Sequence, residues 1–147
     1  MTSLWPRIEP LLAGVEKPAR YIGMERGSRV PVHGPGRVSW LLVYPDTYEI
    51  GLPNQGLQIL YEILNERDDA VAERTYAPWT DLEAELRSHR VPLFSVDNHI
   101  AAGEFDLIAF NLSAELIGTR TQPWDAGPPG TDGAPWIAML PLKYDGL

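Results

Sequence analysis

Apolar residues along this chain fall into short runs and helical stripes separated by Gly- and Pro-rich breaks. The strongest signal is Val38-Ser39-Trp40-Leu41-Leu42-Val43-Tyr44, an almost unbroken apolar run of strand length between Gly36 and Pro45. Such runs suit a strand covered on both faces, as in a parallel sheet. Leu57, Leu60, Tyr61 and Leu64 recur at helical spacing, with Ile59 and Ile63 widening the stripe, and predict a helix over 54–67. A second strand is expected at 71–76, weakened by Glu73 and Arg74. Thr80 and Glu83 have the spacing of a capping box and open a helix that carries Leu82 and Leu86 and ends near His89. Residues 93–96 and 105–112 read as a third and a fourth strand. This order predicts an α/β fold: an open, mostly parallel, Rossmann-like sheet with flanking helices, in which 38–44 and 105–112 are central.

The two ends of the chain follow other patterns. Residues 1–37 form a lead-in, with a short helix over 4–12 capped by Ser3 and carrying Pro6 in its first turn. Lys17-Pro18 breaks it, Tyr21-Ile22-Gly23 reads as a brief extended piece, and the glycines and prolines of 23–36 predict a loop. The α/β domain is expected over 38–116. Residues 117–147 are rich in Pro and Gly without apolar periodicity and predict an irregular C-terminal tail.

Composition narrows the partners. The formal charge is −8, a sign that repels phosphates, and Arg20, Arg26, Arg29 and Arg37 are scattered among glycines and prolines, so no nucleic-acid partner is expected. No apolar run approaches the roughly 18–20 residues of a membrane span, and the N-terminus lacks a secretory pattern, so the expected location is cytoplasmic. The chain has no cysteine, which excludes disulfides, thiolate nucleophiles and cysteine-ligated clusters within these residues.

Several segments carry a family resemblance: Leu4-Trp5-Pro6-Arg7-Ile8-Glu9-Pro10, Lys17-Pro18-Ala19-Arg20-Tyr21-Ile22-Gly23, Tyr44-Pro45-Asp46-Thr47-Tyr48-Glu49-Ile50-Gly51-Leu52-Pro53-Asn54-Gln55-Gly56 and Ala72-Glu73-Arg74-Thr75-Tyr76-Ala77-Pro78-Trp79. In this order and spacing, over roughly 4–116, the chain resembles the N-terminal part of radical SAM iron–sulfur proteins with a cobalamin-binding-like domain. The resemblance implies a Rossmann-like domain followed by a barrel whose three-cysteine motif holds an iron–sulfur cluster and S-adenosylmethionine. That barrel is the implied partner, and the chain alone carries neither cofactor. In the family, Glu-Leu leads into Tyr-Thr-Asn and a leucine-rich helix. Here Glu115-Leu116 leads into Ile117-Gly118-Thr119-Arg120-Thr121. One restored base near the Gly118 codon recovers Gly-Tyr-Thr-Asn, so the expectation is a frameshift and a truncated, non-catalytic product. The alternative is a stand-alone α/β module that binds a small ligand or a protein.

Candidate chemistry concentrates after the first strand, where open α/β sheets bind ligands. Tyr44, Asp46, Tyr48, Gly51, Asn54 and Gly56 are the candidate cofactor-binding residues, with the amides at the start of the following helix able to receive an anion. The competing reading is local: Asp46 and Asn54 cap the chain, while Gly51 and Pro53 shape the turn. Asp97-Asn98-His99-Ile100-Ala101-Ala102-Gly103 nearly spells the Asp-x-His-x-x-Gly signature of a histidine cobalamin ligand, with one residue too many and in the wrong context. It reads instead as a surface turn with an exposed histidine, which argues against cobalamin. Asp81 and Glu83 do not share a helix face. His33 and His89 are isolated, so no catalytic residue and no metal site are expected. Trp40, Tyr61, Tyr76 and Trp79 are assigned to core or interface packing.

Overall fold

The computed structural model describes residues 1–25 and 29–111. Three strands, β1 (Val38–Tyr44), β2 (Ala70–Tyr76) and β3 (Leu107–Phe110), form an all-parallel sheet in the order β2-β1-β3. Helix α1 (Trp5–Leu12) precedes it, α2 (Tyr48–Gly51) and α3 (Gln55–Glu66) connect β1 to β2, and α4 (Thr80–Ser88) follows β2. The expected open, parallel α/β architecture is therefore present.

Alternation of side chains sorts the strands onto two faces. Leu41 and Val43 of β1, with Ile108 and Phe110 of β3, join Ile8, Leu11, Leu12, Leu82, Leu86 and Phe105 in one core beneath α1 and α4. Leu42 and Tyr44, with Ala72 and Tyr76, form the other core beneath Leu57, Tyr61 and Leu64 of α3. Asn54 caps α3, its side chain accepting a 2.9 Å hydrogen bond from the Leu57 amide. At the other end of the sheet, Ser39 and Asp106 lock the starts of β1 and β3, the Ser39 hydroxyl donating to the Asp106 carboxylate at 2.7 Å.

Several local expectations change. β3 is shorter than 105–112 and lies at the edge of the three described strands; Phe105, fully buried, dips into the core before the strand begins, and residue 112 lies outside the described residues. Residues 93–96 are not a sheet strand and make one antiparallel bridge, Phe94 to Ala101. They run along the outer edge of β2, but the Arg74 amide donates to the Asp97 carboxylate at 2.7 Å instead of to a main-chain carbonyl, so no ladder propagates. Thr80 is not a cap: Trp79 holds that position without a side-chain bond, and Glu83 pairs with Arg87 at 2.8 Å. Leu4, not Ser3, is the N-cap of α1, although the Ser3 hydroxyl accepts from the Trp5 amide at 3.3 Å. Residues Pro18–Tyr21 wind into a 3-10 turn, and the extended piece expected over Tyr21-Ile22-Gly23 does not form: Ile22 is in the right-handed helical region and Gly23 turns the chain at φ +68°. The irregular tail and the frameshift expected near Gly118 lie outside the described residues.

Candidate functional site

The strand order creates a switch point. The chain leaves β1 toward β2 through α3, then returns past β1 to β3, so the crevice between the carboxyl ends of β1 and β3 is where open sheets accept ligands. Of the six candidate residues, Asn54 and Gly56 reach this crevice. The Asn111 amide group, just beyond β3, donates to Asn54 Oδ1 at 3.0 Å, and a Cβ on Gly56 would lie 3.4 Å from the same Asn111 group. The first turn of α3 is thus already engaged from both sides.

The other four candidates sit elsewhere. Tyr44 is buried in the sheet. The Asp46 carboxylate accepts from the adjacent Thr47 amide at 2.7 Å, and its carbonyl accepts from Ala77 at 2.9 Å, which ties the end of β1 to the end of β2. Gly51 lies against the Tyr76 ring, where a Cβ would collide. Tyr48 turns from the crevice toward Tyr76, the rings meeting edge to face at 5.4 Å, and donates to Glu25 at 2.9 Å. Tyr48 and Glu25 also border a cleft of about 400 Å³ with Lys17, Arg20, Met24 and Glu49. Within it Arg20 pairs with Glu49 at 2.7 Å, and the Arg20 guanidinium lies 5.3 Å from the centre of the Trp79 ring.

A buried polar array at the outer edge of β2 is the feature that pattern reading missed. Glu73 and Arg74, expected to weaken the strand, are both buried, Glu73 completely. Arg74 donates to Asp97 at 2.7 Å and to Glu25 at 3.1 Å, and its guanidinium lies 4.5 Å from the centre of the Tyr61 ring. Glu73, on the opposite face, accepts from Asn98 at 2.6 Å and contacts His33 Nε2. Burial opposes the charged form of Arg74, but its hydrogen bonds to Asp97 and the Asp97 charge outweigh that and hold it above its ordinary range. Burial pushes the Asp97 carboxyl up while Arg74 pulls against it. The only hint in the sequence was an adjacent charged pair inside a segment of strand length.

Burial also raises the phenols of Tyr21, Tyr48, Tyr61 and Tyr76, reinforced by the hydrogen bond to Glu25 at Tyr48 and by the Asp97 charge at Tyr61. The Tyr76 hydroxyl is enclosed and has no partner in good hydrogen-bond geometry among the described residues, although nearby Arg74 pulls against the effect of its burial. Below the ordinary tyrosine value of about 10, folded and unfolded chains both keep these protons. Above it only the unfolded chain releases them, so stability is expected to fall as pH rises beyond about 10. In an ultraviolet titration these phenols should ionise together with unfolding. Ionisation of all of them near the ordinary value with the fold intact would contradict their burial.

The residues present do not fit the cofactors that the resemblance implies. There is no thiolate for an iron–sulfur cluster, and among the described residues no group of three His, Asp or Glu side chains could hold a metal. His99 is buried, not exposed as expected. It sits at φ +57°, with Nε2 2.8 Å from the Tyr21 carbonyl and its ring 4.6 Å from that of Trp5, so it is unavailable as a cobalamin ligand. No helix among the described residues is long and apolar enough to cross a membrane.

Comparison with known families finds that residues 56–121 match the model described as radical SAM proteins, N-terminal. The match begins in α3 and runs through β2, α4 and β3, so it includes the Glu73–Arg74–Asp97 array. No curated protein and no solved structure matches the chain.

Proposed function

We propose, from the premise that this chain carries an N-terminal segment of the radical SAM family, that it is the non-catalytic front module of a radical SAM iron–sulfur protein. The observation that carries this reading is the family match combined with a chain that has no cysteine. The cluster and S-adenosylmethionine then belong to a cysteine-bearing barrel outside these residues, and radical chemistry belongs with them. The module supplies a parallel sheet in which the buried Glu73, Arg74 and Asp97 side chains already have hydrogen-bond partners, which suits a scaffold better than a reaction centre. Its proposed site of action is cytoplasmic, and cobalamin has no place in it.

The test is the coding DNA downstream of the codon for Asn111. The expected result is a three-cysteine motif within the following several hundred bases, in this reading frame or shifted by one base near the Gly118 codon. A locus with no such motif in any frame overturns the reading. The cleft beside Arg20 and Glu49 would then favour the second reading, a stand-alone module for a small ligand.

A further inference from the structure

The carboxylate of Glu25 sits in a receptor built by other parts of the fold. Tyr48 donates to one of its oxygens at 2.9 Å and Arg74 to the other at 3.1 Å. The Tyr76 hydroxyl, enclosed and without a partner in good hydrogen-bond geometry among the described residues, is near enough to feel the Glu25 charge. A guanidinium and a phenol converging on one carboxylate give strong, charge-assisted bonds. The same Glu25 and Tyr48 border the cleft of about 400 Å³, whose apolar walls come from Pro18, Ala19, Ile22 and Met24. Its size lies within the range of small-molecule sites, about 300–1,000 Å³, and a few fixed polar groups among apolar walls are their usual make-up.

Glu25 is the replaceable part of this arrangement. Asp97, its side chain 1% exposed, already neutralises Arg74 and is bonded to both the side chain and the main-chain amide of that residue. The Glu25 side chain is 18% exposed and its neighbour Met24 is 86% exposed, so Glu25 can leave without opening a core. Its departure changes the charge balance. Lys17 and Arg20 share Glu49, at 3.8 and 2.7 Å, while Arg74 keeps Asp97. Three cations then face two carboxylates, a surplus that one further anion cancels. We propose that the cleft binds a small carboxylic acid with an apolar body, whose carboxylate takes the place of Glu25 on Tyr48 and Arg74. Glu25 is then a built-in competitor for the site. This binding goes beyond the scaffold role and holds whether or not a barrel follows.

Removing the competitor tests this. Benzoate and its neutral counterpart benzamide are titrated by calorimetry into the full chain, its Glu25→Ala variant and the double variant Glu25→Ala, Tyr48→Phe. Glu25→Ala should bind benzoate about tenfold or more tightly than the native chain, because its site is no longer occupied. Benzamide should show no such gain. Tyr48→Phe keeps the ring against Tyr76 but removes the donor, and should return benzoate affinity toward the native value. If Glu25→Ala is too unstable to titrate, benzoate should raise its urea midpoint in a saturable way that equal chloride does not. Failure of that rescue overturns the proposal. So do equal benzoate affinities in the native chain and Glu25→Ala, absence of binding to Glu25→Ala, an equal gain for benzamide, or a gain that survives Tyr48→Phe.

Discussion

Replacing Arg74 with Met is expected to reduce the stability of the fold by about 3–5 kcal/mol, the usual cost of removing one partner from a buried ion pair. Arg74 is enclosed, and its side chain is the cation serving Asp97, whose own side chain is 1% exposed, and Glu25. Met has similar length and preserves contact with Tyr61, so most of the loss comes from carboxylates left in a poor solvent. The double variant Arg74→Met, Asp97→Asn should recover much of it, since the amide still accepts from the residue 74 main chain without a buried charge. Urea unfolding of the three chains measures the coupling. A loss below about 1 kcal/mol in the single variant would mean that the pair is effectively solvated, contrary to its burial.

Gly23→Ala should be the more damaging of two glycine substitutions that share a backbone handedness. Gly23 and Gly36 both have positive φ, +68° and +80°, where an L side chain costs roughly 1–2 kcal/mol. Around Gly36 the space for a Cβ is open. At Gly23 the Cβ would run into the Val96 carbonyl. That carbonyl cannot easily retreat, because the Val96 amide is bonded to the Arg74 carbonyl at 2.8 Å. A close contact of this kind adds roughly 1–3 kcal/mol. Side-by-side urea titrations should place Gly23→Ala well below Gly36→Ala, and coincident midpoints would show that the segment shifts freely.

Both substitutions act where the lead-in meets the outer edge of β2, and this junction was the least legible part of the chain. Runs such as 38–44 announce themselves because a strand covered on both faces needs apolar residues at nearly every position. Asn54 announced itself as a cap because an Asx side chain before a helical stripe has a local partner. Arg74 and Asp97 are separated by a helix and a turn, and no local rule couples them. Their pairing also explains why 93–96, apolar and of strand length, failed to become a strand. The site residues divided for the same reason: Asn54 and Gly56 reach the crevice from the start of α3, whereas the Tyr48 ring and the Gly51 backbone lie against Tyr76, a neighbour that only the packing of β2 supplies.

Short-range pattern was enough for the α/β class, the positions of β1, α3 and α4, the acidic surface and the absence of cysteine-based chemistry, because each depends on residue type and spacing within a few turns. The folded chain alone decided the order β2-β1-β3, the edge position of β3, the burial of Glu73, Arg74 and His99, and the exposure of Ile59 and Ile63. These depend on which surfaces meet across long separations in sequence. A helical stripe specifies that a face is apolar, but what covers it is set by the free energy of the whole assembly.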